Sequence, residues 1–436
     1  MKNHEINSHK INQKNNALLH ANDLCAHGLR EKQSGNFQEA ITLYTQAAAM
    51  APQAPMPHIC LGVAFEALGQ YGPAADCARR AIALGADHPH VWRNLGIALQ
   101  KAGRMDEAIA ALRTALSKDP ADRESSIALG IALLLDGRME EGWHHYGKYR
   151  TQAGYKDFHG FHGRFWRGQP LAGAELQVFA EQGLGDTLQF SRFLPPLLER
   201  DDLKAAPRRL RFRVQPELLA LFQASFPAII VEPRTAPPPP PDGWQCPLLA
   251  LPGLERMALD RLPPAPYLRP PEAALRRWQD RLPPIPGQKR LGLVWTGNPR
   301  NPTNPLRSVP LAPLAALLTG LTGWRIHSLQ PGQGQAFRQA FPQGIDPSDA
   351  FHDFAETAAC IAQLDACVTV DTAVAHLAGA LGKRLYLLLP FAPPDWRWQR
   401  LRADSPWYGA TTLIRQPAPG DWDTPLADLA RHLRQG

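Results

Sequence analysis

VWRNLGIALQKAGRMDEAIAALRTALSKDP, residues 91–120, reads as two helical runs broken at Gly103, and its landmarks recur at a fixed step. Gly96 belongs to the series Gly28, Gly62, Gly96 and Gly130, spaced 34 apart (62−28, 96−62, 130−96). Gly103 belongs to Gly35, Gly69, Gly103 and Gly137, with the same step. Ala40, Ala74 and Ala108 form a third column, whose fourth place is taken by Gly142, and Ala47, Ala81 and Ala115 form another. Pro52 and Pro120 close the first and third units. Small residues in the Gly28 and Ala40 columns let two helices approach closely. The Gly35 column falls where a left-handed C-cap is cheapest for glycine. The prolines stop the second helix of a unit.

These columns resemble the tetratricopeptide repeat (TPR), a helix-turn-helix unit, over residues 21–154. No such unit buries its apolar face alone, so four must stack into an α-solenoid. Its concave face is expected to dock a partner; the plainer alternative is a stabilising extension of the rest of the chain. In the last repeat Trp143, His144, His145 and Tyr146 read as a packing cap rather than a ligand site.

With 436 residues the chain is long enough for two or three domains, and 44% hydrophobic residues suffice for sizeable cores. The net charge of +7 suits an anionic ligand, but no long Lys/Arg run points to a nucleic-acid partner. No run of eighteen apolar residues is present, so no transmembrane helix is expected. The opening MKNHEINSHKINQKNN lacks the apolar stretch of a secretory signal and reads, over 1–20, as a polar disordered tail. Cys25, Cys60, Cys77, Cys246, Cys360 and Cys367 form no CxxC pair, which fits reduced thiols in the cytoplasm and no structural metal.

After residue 155 the chain changes character. FHGFHGRFWRGQPL (158–171) is a Gly- and aromatic-rich connector; an apolar strand at 176–180 leads into Glu181-Gln182-Gly183-Leu184-Gly185-Asp186-Thr187 and then a helix. Strand, Gly-rich turn and helix open a Rossmann-type unit, although the third glycine of a dinucleotide fingerprint is absent. Further strands are expected at 209–214 and 228–231, whereas TAPPPPPDG (235–243) cannot enter a sheet. A Pro-rich stretch, 262–286, with a helix near 272–282, separates this half (155–268) from the next; the linker is set at 269–289. From Arg290 strands at 291–295, 324–329, 366–370 and 385–389 alternate with helices at 311–318, 354–364 and 373–381. That alternation predicts a parallel sheet over 290–436. Thr296, Gln330, Asp371 and Thr372 fall at strand C-termini, the ligand edge of such a sheet.

EQGLGDTLQF (181–190), GLVWTGNP (292–299), VTVDTAVAHLAGALGK (368–383) and PDWRW (394–398) resemble bacterial proteins that join TPR units to a glycosyltransferase domain. That domain is similar to the heptosyltransferase-like GT-B enzymes of glycosyltransferase family 9, and the layout is similar to that of the O-GlcNAc transferases. The resemblance implies two Rossmann-type halves facing across a cleft. The C-terminal half would hold a nucleotide sugar and the N-terminal half would meet the acceptor, with no metal or other cofactor.

The same resemblance distributes roles. Asp186 would be the acceptor base, although Asp at a helix start is also a favoured cap. Gln182, Gly183 and Gly185 would form the acceptor-side loop. Asp371, Thr372 and Ala373 match the diphosphate loop. Thr372 and the following amides would face phosphate, while a negative Asp371 would cap the helix or hold a ribose hydroxyl. His376 would point at that loop, where a lone His in AVAHLAGAL otherwise reads as core. Thr296, Gly297 and Asn298 match the phosphate-side turn. The Lys that relatives carry after it is missing, and Arg307 rather than Arg300 is chosen for the diphosphate; an Arg in such a Pro-rich loop also serves as a solvated charge. Gln330 would touch base or ribose. Asp395, Trp396, Arg397 and Trp398 fall near the expected cleft edge, where the tryptophans, like Trp407 and Tyr408, read as a packed cap.

The expected activity is thus inverting sugar transfer to a protein or glycan acceptor docked by the repeats. A non-catalytic interaction scaffold with a degenerate transferase domain is the alternative. A nucleotide-sugar epimerase fits less well, because it has no use for the repeats.

Overall fold

A computed structural model of the chain describes residues 2–147, 164–235, 243–301, 304–391 and 395–435, with side chains from Asn15 onward. It divides into two compact units, 1–146 and 147–436.

The first unit is a stack of four helix pairs: α1 (Lys2–Gln33) with α2 (Phe37–Met50), α3 (Pro55–Ala67) with α4 (Tyr71–Ala83), α5 (Pro89–Lys101) with α6 (Met105–Lys118), and α7 (Arg123–Leu135) with α8 (Met139–Gly147). The glycine columns do what their spacing predicts. A Cβ on Gly28 would lie 2.5 Å from the Tyr44 ring, on Gly96 2.5 Å from Leu112, and on Gly130 2.5 Å from the backbone nitrogen of Tyr146. Gly35, Gly69, Gly103 and Gly137 all have φ between 73° and 85°, closing the first helix of each pair. The cluster Ala74, Ala78, Leu95, Leu99, Ala108 and Ala111 joins α4, α5 and α6, so one core is shared by successive pairs. On the second helices Arg79 meets Glu107 at 2.8 Å and, one repeat on, Arg113 meets Glu141 at 2.6 Å. Such exposed pairs add little singly, but they mark the register of the stack. Trp143 and Tyr146 are buried edge to face, 6.0 Å apart, as the expected cap.

One expectation changes. The stretch 1–20, read as a disordered tail, has helical backbone from Lys2. No Gly or Pro precedes Gly28 in the sequence, so nothing in the chain stops α1 from running backward out of the first repeat. Residues 148–154, assigned to the last repeat, lie outside the described residues, as do 158–163 of the connector and 236–242 of the proline run.

The second unit contains two five-stranded parallel sheets. The first has β1 (Arg164–Phe165), β2 (Leu176–Phe179), β3 (Leu210–Val214), β4 (Ile230–Pro233) and β5 (Trp244–Pro247), in the order β1-β5-β2-β3-β4. Between β2 and β3 lies α9 (Leu184–Phe190). The segment between the sheets carries α10 (Glu272–Arg281). The second sheet has β6 (Lys289–Val294), β7 (Trp324–Ser328), β8 (Ala366–Val370), β9 (Arg384–Leu389) and β10 (Thr411–Arg415), in the order β10-β9-β8-β6-β7. Its helices include α11 (Leu311–Thr319), α12 (Phe354–Gln363), α13 (Ala373–Ala380) and α14 (Asp423–Gln435). β1, β5 and β10 escaped the sequence reading: two residues, four residues ending in proline, and a TTLIR run too short to stand out.

The stretch read as an interdomain connector packs against the second sheet's helices. The backbone amides of Tyr267 and Leu268 both donate to the Ala380 carbonyl, at 3.0 and 3.3 Å. Trp278 of α10 is buried, lies 5.4 Å from Phe351 and donates to Glu356 at 2.6 Å.

Candidate functional site

Ligands sit at the carboxyl edge of an open parallel sheet, where the strand order reverses. In the second sheet the reversal is the gap between β6 and β8. Arg307 spans it. Its Nη1 donates to the Asp371 carbonyl at 2.9 Å, and its guanidinium covers Gly297 so closely that a Cβ there would sit 2.8 Å from Nη2. Its Nε is buried with no hydrogen-bond partner among the described residues. The hydroxyl of Thr372, the residue before α13, is in the same state. The first amides of α13 open beside it, so the place offers donors and a positive helix end.

The turn after β6 is braced from within. Thr296 Oγ1 lies 2.8 Å from Ser308 Oγ and accepts from Asn304 Nδ2 at 3.1 Å, while the Gly297 amide donates to Asn304 Oδ1 at 2.8 Å. Gln330 Oε1 accepts from the Thr296 amide at 3.3 Å, so that atom braces the turn. Asn298 is exposed and accepts from the Arg300 amide at 3.0 Å.

The first sheet brings α9 to the same place. Gly185 faces the start of α13: a Cβ on it would lie 3.7 Å from the Ala373 nitrogen and 3.0 Å from His376 Cδ2. Asp186 is not the N-cap itself: it sits at N3 of α9, and its Oδ2 accepts from the amide of the N-cap, Gly183, at 3.1 Å. Its Oδ1 pairs with Arg397. Arg397 also donates to Gln189 at 2.7 Å and Asp395 at 3.1 Å, and lies 4.4 Å from the Trp396 ring. The side chain of Gln182 is exposed, and its carbonyl accepts from Gln215 at 2.8 Å. Of the expected residues, then, Gly185, Asp186, Ala373 and His376 meet, and Gly297, Arg307, Asp371 and Thr372 meet beside them; Asn298 and Gln182 turn to solvent.

His376 is buried. Nδ1 is 3.0 Å from the Tyr408 hydroxyl, and its ring lies nearly parallel to Trp398, 5.2 Å away at 17°. Loss of water, then the charges of Arg397 and Arg192, hold its pKa well below the ordinary range, so the imidazole is neutral. Burial, then Asp395, push the half-buried Asp371 carboxyl up to about 7, against Arg397 and Arg307.

Arg397, Arg192, Tyr267, Trp398 and Tyr408 were not among the candidate residues. Arg192 is fully buried, donates to the Trp407 carbonyl at 2.7 Å and lies 4.8 and 5.0 Å from the Tyr267 and Tyr408 rings. A signal existed: Arg192 is the one charge in the apolar run Phe190–Leu194. Among the described residues no group of three or more His, Cys, Asp or Glu side chains forms a metal site. A hollow of about 690 Å³ beside Lys289, Trp324 and Arg434 lies at the opposite, amino edge of β6 and β7.

Residues 25–89 and 93–142 match the family model described as tetratricopeptide repeat, so the first unit is a TPR solenoid followed by a parallel α/β region. Over 295 residues the chain is 26% identical to Protein FlbA of Caulobacter vibrioides, covering 62% of this chain and 48% of that protein. The chain thus spans about half the length of this relative. Similar solved structures include MamA (22% identity, TM-score 0.30, 31% of this chain and 80% of that one). Another is the first TPR of Spaghetti bound to an HSP90 peptide (22% identity, TM-score 0.25, 26% and 89%). None of these matches carries a glycosyltransferase description. Repeats of this class suggest a protein-interaction role, and Leu29, Val63, Ile97 and Ile131, one per repeat, leave an aliphatic column partly exposed on the first helices. No described helix is long and apolar enough to cross a membrane.

Proposed function

We propose that the α/β unit is a metal-independent inverting glycosyltransferase of GT-B type, moving a sugar from a nucleotide-sugar donor to a protein or glycan acceptor docked by the repeats. One observation carries this reading: the unpartnered Thr372 hydroxyl and Arg307 Nε gather with the start of α13 at the switch point of the second sheet. A buried donor left unpaired costs on the order of 1–3 kcal/mol, and a diphosphate oxygen would supply the partner. In transfer, an acceptor hydroxyl oxygen bonds to the anomeric carbon as the bond from that carbon to the diphosphate breaks. The hydroxyl proton passes to a base, and the nucleoside diphosphate leaves with its charge met by Arg307, Thr372 and the helix amides. Asp186 serves as base once Arg397 releases its carboxylate. The same pairing favours the second reading, a non-catalytic interaction scaffold, because it engages both oxygens of Asp186.

A thermal-shift screen of the full chain against UDP-, GDP-, ADP-, CMP- and dTDP-sugars decides between them. Ligand at a hundred times its Kd stabilises by about 2.7 kcal/mol. A rise in melting temperature with one nucleotide class, lost in Thr372→Ala/Arg307→Ala, supports the transferase. A well-folded protein that no nucleotide sugar shifts overturns it and leaves the scaffold.

A further inference from the structure

The second sheet has two edges, and the proposed transfer uses only the carboxyl one. The amino edge carries three hollows. One of about 690 Å³ lies at the start of β6 and β7, lined by Lys289, Thr322, Trp324 and Arg434. A second, of about 500 Å³, shares Thr322 and Trp324 with it and reaches Arg325. A third, of about 350 Å³, lies at the start of β9 and β10, lined by Arg384, Tyr386, Thr412 and His432. The last turn of α14 serves the first and the third, giving Arg434 to one and His432 to the other. Among the described residues no Asp or Glu lines any of the three.

Cations gather at this edge for different reasons, and their contacts separate them. Lys383 is spent on the end of α12: its Nζ donates to the Ala362 and Leu364 carbonyls at 2.7 and 2.9 Å. Arg290 takes Asp365 at 3.6 Å, and Arg325 donates to Gln288 at 3.0 Å and to the Gln343 carbonyl at 2.5 Å. Arg384 and Arg434 are exposed and have no carboxylate partner among the described residues. A cation in the last turn of a helix answers the helix dipole, which accounts for Arg434. It does not account for Arg384, which opens β9, or for Lys289, which opens β6. Only β8 lies between those strands, so their starts stand two strand spacings, about 10 Å, apart.

We propose that this edge docks an acidic segment of a partner protein, with carboxylates about 10 Å apart entering the hollows beside Lys289 and Arg384. Charge selects an anion, and the surroundings select a peptide. A membrane surface needs apolar side chains to insert, and here Leu321, Ile326 and Leu433 are buried. A single-stranded nucleic acid needs free aromatic faces. Tyr386 is buried, Lys289 lies 5.5 Å over the Trp324 ring, and Trp324 Nε1 donates to the Leu433 carbonyl at 3.0 Å. Carboxylate side chains are slender enough to enter concave hollows, which a flat bilayer or a duplex would only span. β6 has Lys289 at one end and leads at the other into the Thr296–Gly297 turn, so a docked segment leaves the cleft uncovered. The proposal does not depend on what the cleft binds.

Fluorescence anisotropy of a labelled oligoglutamate peptide against the full chain, at low ionic strength, tests this. The peptide is expected to bind and to be released as salt rises. Arg384→Ala/Arg434→Ala is expected to weaken it about tenfold. Arg208→Ala/Arg276→Ala, the same loss of charge at exposed positions elsewhere, is expected to weaken it less than about twofold. No binding overturns the proposal, as do equal losses in the two variants, which mean attraction to net charge alone. Phosphatidylserine vesicles or duplex DNA held more tightly than the peptide through the same two arginines overturn it in favour of those partners. Hydrogen exchange locates the peptide without any variant. Protection is expected at 287–289, 320–324 and 432–435, and protection confined to other segments overturns the proposal.

Discussion

The ring of Tyr408 lies over Gly379, in the space that a side chain at that position would fill. His376 and Gly379 stand three residues apart on one face of α13, so one tyrosine is seated by the glycine and bonded to the histidine. Gly379→Ala must displace the ring and is expected to cost about 1–3 kcal/mol in denaturant unfolding. Gly409→Ala, where a Cβ meets nothing within 4 Å, is expected to change stability by less than about 0.5 kcal/mol.

Arg397→Ala is expected to destabilise the second unit by about 3 kcal/mol, because it strands Asp186 and Gln189 and strips the Trp396 ring of its cover. Asp186→Asn keeps the shape but sets its NH2 against either the Gly183 amide or Arg397, both donors, and should cost about 1–3 kcal/mol. Sugar transfer, if Asp186 is the base, should fall at least a hundredfold in the same variant. Unfolding midpoints and turnover, measured side by side, separate the two effects.

Asp371 gives the site a pH dependence of known sign. Its folded value of about 7 lies above the ordinary 3.8. Between these limits the folded protein keeps a proton that the unfolded chain has lost. This contribution to stability is fully present below about pH 4 and is lost as pH rises through 7. A protonated Asp371 also does not repel phosphate. Pyrophosphate binding, measured by calorimetry, should therefore weaken between pH 6 and pH 8 more in the unaltered protein than in Asp371→Asn, which cancels the ligand's own titration.

The repeat glycines should rank by what blocks them. Gly130→Ala meets the backbone of Tyr146 and is expected to cost about 2–3 kcal/mol in the full chain. At Gly62 the nearest atom is 3.3 Å away, and the better helix propensity of alanine offsets part of the strain, so the change should stay under about 1 kcal/mol. Thermal unfolding of the two variants checks the order.

The repeats were legible because each glycine in a column answers one local demand, a close approach or a positive φ, and the demand recurs. The second sheet was legible because its strands are continuous apolar runs; β8 falls at the expected residues 366–370. Arg397 was not, since its value lies in meeting Asp186, 211 positions earlier, and nothing local in PDWRW says so. Tyr408 was read as packing and does pack. Its bond to His376 depends on a helix and a loop brought together by the sheet between them, which no local pattern encodes.

The Ala380 carbonyl, which takes both connector amides, has a mechanical consequence. It moors the far end of α13 to Tyr267 and Leu268, while the next residue, Arg269, is tied to Ser225 and Ala224 of the first half. If the two sheets swing apart to admit a ligand, the short stretch 267–269 is pulled from both sides, because it is fastened to both. Such a motion would have to break either the Ala380 bonds or, together, the Tyr267–Leu188 and Arg269–Ser225 bonds.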